Sequence, residues 1–264
     1  MKTIVHSAKS LIRRPALRRG FPPSRSYGAA GLLILLLLGC FGLAPMAQAA
    51  GPDTDGSIPG SNNGEGIGVL VSRTTGAWNT GTGFEALSQL TAGNQNTATG
   101  LRALNSDTNG GFNTATGVYS LFSNTSGFFN SATGAYALAN NIDGKNNTAN
   151  GYGALYYNKG DYNTATGFAA LYHDTTGNSN TASGYQALFS NTVGVNNTAV
   201  GYQALFANQW PDPGYGTDNT ACGFQALHDN TKGYYNTAYG VQLSTITPSA
   251  TTTPPAAYTR SCRI

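Results

Sequence analysis

Asn163-Thr164-Ala165-Thr166-Gly167-Phe168-Ala169-Ala170-Leu171-Tyr172-His173-Asp174-Thr175-Thr176-Gly177-Asn178-Ser179 is followed at once by Asn180-Thr181-Ala182-Ser183-Gly184-Tyr185-Gln186-Ala187-Leu188. The second stretch respells the first, seventeen positions on. Working outward, the opening Asn-Thr-Ala-x-Gly, or a close variant, begins at Asn79, Asn96, Asn113, Asn130, Asn147, Asn163, Asn180, Asn197, Asn219 and Asn236, in steps of 17, 17, 17, 17, 16, 17, 17, 22 and 17 residues. A register kept over residues 79–243 predicts an all-β parallel solenoid, a β-roll of about ten seventeen-residue coils, each unit one rung. At about 4.8 Å per rung the stack is about 45 to 50 Å long. The 22-residue step holds one insertion, Gln209 to Gly216, expected to leave the rod as a loop.

Each column of the repeat carries a physical expectation. The first is Asn in every copy, Asn96, Asn113, Asn163 and Asn180 among them, and stacked amides can hydrogen-bond from coil to coil. Ala in the third column, replaced only by Gly81, requires a narrow interior. The fifth is Gly throughout, as at Gly100, Gly117, Gly167 and Gly184, and a position that rejects every side chain marks positive φ or close backbone approach, hence a bend. The recurring leucines, Leu87, Leu104, Leu121, Leu138, Leu155, Leu171, Leu188, Leu205 and Leu227, form the expected core ladder. Segments such as Asp107-Thr108-Asn109-Gly110 read as turns in which the Asx side chain serves the backbone. The unit therefore reads strand, bend, strand, turn. Two glycine columns leave no run of the roughly 10 to 12 residues that a typical helix occupies.

One Leu and part of one aromatic per unit cannot offset the ordering of seventeen backbones, each costing about 1 to 2 kcal/mol. Hydrogen-bond ladders and further burial must supply the difference. The residues after the bend (Phe84, Leu101, Val118, Ala135, Tyr152, Phe168, Tyr185, Tyr202, Phe224, Val241), with Phe122, Tyr156, Tyr172, Phe189 and Phe206, are the candidates for a core shared between rods packed side by side. The other reading is that they cover a monomeric roll.

The first 50 residues differ in kind. Seven of the 14 basic residues fall in the first 25 positions, and an apolar run from Gly31 to Ala44 leads to small residues at Ala47 and Ala49. This reads as an export signal over residues 1–50 cleaved near Ala49 or Ala50, ahead of a linker or cap at 51–78. The run is shorter than the roughly 20 residues that span a bilayer, so an uncleaved anchor fits less well, as does lipidation at Cys40. Without the leader, seven basic residues face 11 acidic ones, a net of −4, which argues against a nucleic-acid footprint. Cys222 and Cys262 could at most form one bridge. Residues 244–264, rich in Thr and Pro, read as a disordered tail with no heptads and no transmembrane strand pattern, so membrane attachment is not expected from this stretch.

Repeated Asn-Thr-Ala-x-Gly-Tyr-x-Ala-Leu units behind an Arg-rich export signal resemble the head repeats of trimeric autotransporter adhesins. The resemblance covers residues 79–243, although the family's usual repeat is shorter. It implies a left-handed parallel β-roll, a homotrimer, display at the bacterial outer surface, and attachment to host extracellular matrix or other cells. Similar arrays also resemble stalks of surface or fibre proteins that end in a self-cleaving chaperone domain, which would make the chain a spacer.

Chemistry is poorly represented. His173 and His228 stand apart, without the repeated Cys or carboxylate pattern of a metal site. Glu65 and Glu85 are too isolated for paired acid and base work. The aspartates (Asp107, Asp143, Asp161, Asp174, Asp218, Asp229) fall mainly in turns, and Gly66-Ile67-Gly68 lacks the rest of a nucleotide fingerprint. No catalysis, cofactor or metal is expected. Thr-x-Thr at Thr97/Thr99, Thr114/Thr116 and Thr164/Thr166 raises ice binding as a further reading, weakened where Asn150, Val200, Cys222 and Tyr239 occupy the second Thr column. The expected ligand contacts are the features that break the repeat, above all Trp210 and Tyr215 in the inserted loop.

Overall fold

The computed structural model describes residues 62–208 and 216–243, together with the backbone of Thr259–Ser261. Twelve strands of three residues each form one parallel sheet in strict chain order. They are β1 (Asn63–Glu65), β2 (Thr80–Thr82), β3 (Thr97–Thr99), β4 (Thr114–Thr116), β5 (Ser131–Thr133), β6 (Thr148–Asn150), β7 (Thr164–Thr166), β8 (Thr181–Ser183), β9 (Thr198–Val200), β10 (Thr220–Cys222), β11 (Thr237–Tyr239) and β12 (Thr259–Ser261). Like positions of the repeat lie side by side, as in Thr97↔Thr114, Ala98↔Ala115 and Thr99↔Thr116. The molecule is the β-solenoid expected from the period.

A three-residue strand buries only its central residue. Ala98, Ala115, Ala132, Ala165, Ala182, Ala199 and Ala221 are wholly buried, while the flanking hydroxyl residues face outward. Opposite this wall of methyl groups stand Leu87, Leu104, Leu121, Leu138, Leu155, Leu171, Leu188, Leu205 and Leu227, all fully buried. The bend between the two walls needs glycine for both anticipated reasons. Gly100 has φ +136°, and a Cβ there would stand 2.5 Å from the carbonyl oxygen of Gly117 in the next coil.

The expected second strand is not a strand. After the bend, alternate residues adopt left-handed backbone, φ 53° at Arg102 and 49° at Leu104, and the pattern recurs in coil after coil. This alternation turns successive N–H groups toward opposite neighbours. Arg102 N–H donates to Phe84 O of the preceding coil at 2.8 Å, and Leu104 N–H donates to Ser120 O of the following coil at 3.0 Å. Left-handed backbone is costly for a side chain as large as Leu. Here the intercoil hydrogen bonds and the burial of Leu104 oppose that cost.

Two boundaries also differ. Residues 62–78, read as part of a linker or cap, form a further coil in register, with β1 beside β2 and Asn62 heading the asparagine column. Its divergent spelling, Val69-Leu70 in place of Ala-Leu, hid it. Within the stretch read as a disordered tail, Thr259–Ser261 lies parallel to β11, where an edge strand offers unpaired backbone groups. The leader at 1–50 and Cys40 lie outside the described residues, as does Cys262, and Cys222 is a free thiol.

The irregular steps leave the sheet intact. Across the 22-residue step, Thr198 still pairs with Thr220. The base of the insertion is closed by Asn208, whose Nδ2 donates to Gly216 O at 2.8 Å. Across the 16-residue step, Thr148 pairs with Thr164.

Candidate interaction surfaces

The asparagine column is an internal ladder, and its main contact is to backbone. Each Oδ1 accepts the backbone N–H of the next asparagine, as in Asn113 to Asn96 at 3.0 Å and Asn180 to Asn163 at 2.9 Å. From Asn62 to Asn219 each Nδ2 reaches a turn glycine of its own coil, as from Asn96 to Gly110 O at 2.9 Å, whereas Asn236 Nδ2 donates to Asn230 Oδ1. Amide-to-amide bonds join some rungs, such as Asn130 to Asn113 at 3.1 Å. Buried polar groups are thereby satisfied, so the column acts as structural glue.

A second ladder runs through the turn column that the sequence reading assigned to backbone turning. Asp107, Asn124, Asn141, Asn158, Asp174, Asn191, Asn208 and Asn230 are all buried. Asn141 Nδ2 donates to Asn124 Oδ1 at 2.9 Å, and Asn191 Nδ2 to Asp174 Oδ1 at 3.1 Å. The turn role is present too, since Gly110 N–H donates to Asp107 Oδ1 at 2.8 Å. Burial pushes the Asp107 carboxyl up to about 7 against the hydrogen bonds from Gly110 and Asn124, and it raises Asp174 well above the usual range. In both residues Oδ2 has no hydrogen-bond partner. The two aspartates thus stand among amides in a site that favours their neutral form.

Outside, the residues after the bend make an apolar stripe that narrows to a methyl group at Ala135. Phe84, Leu101, Val118, Tyr152, Phe168, Tyr185, Tyr202, Phe224 and Val241 are each between 39% and 65% exposed. From Tyr152 to Phe224 the rings stack face to face with centroids 5.1 to 5.2 Å apart. A parallel, half-buried column runs Tyr156, Tyr172, Phe189, Phe206 and His228, at 4.9 to 5.5 Å. Rings stacked along the rod spend their faces on one another, so the stripe offers edges and tips.

On the sheet face, the first outward rank is Thr80, Thr97, Thr114, Ser131, Thr148, Thr164, Thr181, Thr198, Thr220 and Thr237, a hydroxyl in every strand from β2 to β11. The second rank, Thr82, Thr99, Thr116, Thr133, Asn150, Thr166 and Ser183, is polar from β2 to β8 and then passes to Val200.

The remaining candidates are dispersed. His173 stacks on Tyr157 with centroids 5.6 Å apart, and burial lowers its pKa. His228 Nδ1 lies 2.6 Å from Asp229 Oδ1. Glu85 pairs with Arg102 at 2.7 Å on a partly exposed surface, an arrangement worth little to stability. Among the described residues no three of His, Cys, Asp and Glu come together. Trp210 and Tyr215 lie outside the described residues. No known protein family, curated protein or solved structure matches the chain.

Proposed function

We propose that the chain is an exported, surface-displayed attachment rod without catalytic activity, comparable to the head of a trimeric autotransporter adhesin, in which three copies pack side by side. The observation that carries this reading is the apolar stripe, one large residue in nearly every coil from Phe84 to Val241. A contiguous apolar patch of that length marks an interaction surface. Because its rings present edges, the stripe suits a second stripe of the same kind better than a planar ligand stacked on ring faces. Association adds the burial that a thin coil lacks. Sedimentation equilibrium of the chain over a concentration series tests this: a three-chain mass is expected, and Tyr185→Glu with Tyr202→Glu should give monomer. Monomer at every concentration in the unaltered chain would overturn the trimer. Retention of the trimer on immobilised extracellular matrix then tests attachment.

The hydroxyl ranks support a second reading, ice binding. Strand geometry spaces the hydroxyls of one rank about 4.8 Å apart and the two ranks about 6.6 Å apart, a regular array able to hold ordered water. Thermal hysteresis that is lost on Thr148→Tyr would establish it, and freezing-point behaviour no different from that of a control protein would remove it.

A further inference from the structure

The shortest coil, 147–162, opens a cleft. Its neighbours carry two residues between the buried Asx and the turn glycine, Ile142-Asp143 before it and Thr175-Thr176 after it, whereas Asn158 and Gly160 are separated by Lys159 alone. A ladder of backbone hydrogen bonds runs through this column. Thr108 N–H donates to Thr125 O and Thr125 N–H to Ile142 O, and on the far side Lys159 N–H donates to Thr175 O and Thr175 N–H to Thr192 O. Between Ile142 and Lys159 the bond is missing, so the Ile142 N–H and the Lys159 carbonyl have no protein partner. The side-chain ladder breaks at the same place: Thr108 and Thr125 Oγ1 donate to the following coil, as Thr175 does, but Ile142 and Lys159 carry no hydroxyl.

The opened seam lies in a cleft of about 240 Å³ lined by Ser123, Asn140, Ile142, Tyr157, Lys159 and Thr175. Tyr157, 42% exposed, stacks on His173 of the next coil. On the side of the preceding coils its column continues with Asn140 and Ser123, neither of which carries a ring to cover it. Tyr157 also meets Tyr156 and Tyr172 at right angles, with centroids 4.7 and 5.6 Å apart, and its remaining exposed ring surface lines the cleft. Asn140 Nδ2 is engaged with Tyr156 O, leaving its Oδ1 to accept. The Lys159 ammonium forms no ion pair among the described residues.

We infer that this cleft binds a single acidic sugar residue, a pyranose bearing a carboxylate, at the surface of the rod. A pyranose has one face of C–H bonds whose slightly positive hydrogens suit the negative face of an aromatic ring, and a rim of hydroxyls that each need a donor or an acceptor. The cleft supplies the ring in Tyr157 and the donor and acceptor in the unpaired Ile142 N–H and Lys159 carbonyl. Asn140 Oδ1 and the Ser123 hydroxyl add further partners. Lys159 supplies the charge for the carboxylate. The volume is below that of a drug-sized pocket and suits one sugar ring. The assignment rests on the attachment reading and gives it a ligand class.

Saturation-transfer NMR on the full chain, with a disaccharide ending in glucuronic acid and with methyl glucoside as neutral probe, tests the site. Transfer to the pyranose C–H protons of the acidic probe is expected, with the neutral probe about tenfold weaker. Tyr157→Ala should abolish transfer and Tyr157→Phe keep it. Lys159→Gln should reduce the acidic probe to the level of the neutral one. Absence of transfer from both probes overturns the site, as does transfer unchanged in Tyr157→Ala, and equal binding of the two probes overturns the role of Lys159. If Tyr157→Ala loses its melting transition, Lys159→Gln decides between these outcomes. Sedimentation of the same samples reads the trimer separately, so failure of the cleft and failure of the attachment rod are distinguishable.

Discussion

Val69 and Gly81 fill one another's space: Val69 Cγ1 lies 2.6 Å from where a Cβ on residue 81 would stand. In the later coils the corresponding pair is two alanines, as at Ala86 and Ala98. β2 carries glycine at residue 81 because the facing wall carries a larger side chain there. Gly81→Ala should therefore lower the melting temperature, with a cost of about 1 to 3 kcal/mol from overpacking. Gly81→Ala combined with Val69→Ala should recover most of it. A double-mutant cycle by chemical denaturation checks this, and additive effects would refute the complementarity.

The buried aspartates make stability depend on pH. An unfolded Asp titrates near 3.8, whereas Asp107 in the fold titrates near 7 and Asp174 also well above its ordinary value. The folded chain then holds these protons more tightly than the unfolded chain. For Asp107 the stabilisation is fully present below about pH 4 and is lost as pH rises through 7, and Asp174 acts in the same direction. Melting temperature should fall from pH 4 to pH 8. Asp107→Asn with Asp174→Asn, which installs the amide found at Asn124, Asn141, Asn158, Asn191, Asn208 and Asn230, should flatten the profile and raise the melting temperature at pH 8. Parallel profiles for the two proteins would contradict the assignment.

Ser120 stands where the adjacent coils carry Ala103 and Ala137, and its buried hydroxyl has no hydrogen-bond partner. Ser120→Ala removes that unsatisfied group without leaving a large void. A stabilisation of about 1 kcal/mol is expected by chemical denaturation.

Leu171 sits in the middle of the leucine ladder, fully buried. Leu171→Asp places a charge among methyl groups with nothing to pair it, and should cost at least the roughly 2 to 5 kcal/mol of a truncation to alanine. Coils in a solenoid depend on their neighbours, so the damage should be local first. Limited proteolysis should cut between residues 158 and 191 in the variant before it cuts elsewhere, and an unchanged digestion pattern would show that the ladder does not carry the stack.

Much of the fold was legible because a translational repeat makes each column sample one environment many times. The period fixed the stacking of Asn96 on Asn113, the bend at Gly100, and the burial of Leu104 and Leu171. Other features had no such signature. Nothing in Arg102-Ala103-Leu104 announces left-handed backbone at its first and third residues, because that conformation is stabilised by hydrogen bonds to coils seventeen residues away on either side. The coil from Asn62 was hidden by its own spelling, Asn62-Asn63-Gly64 in place of Asn-Thr-Ala and Val69-Leu70 in place of Ala-Leu.

The interaction surfaces divide in the same way. By itself the sequence determined that the chain is a stack of like coils and which residues share a column, since recurrence at a fixed interval requires equivalent surroundings. Only the tertiary structure decided what those surroundings are: that Asp107 and Asp174 lie inside, that the rings from Tyr152 to Phe224 spend their faces on each other, and that one missing residue beside Lys159 leaves Tyr157 facing a cleft. Burial, stacking and an interrupted hydrogen-bond ladder depend on how successive coils approach in space, and the spacing of residues along a chain does not specify that.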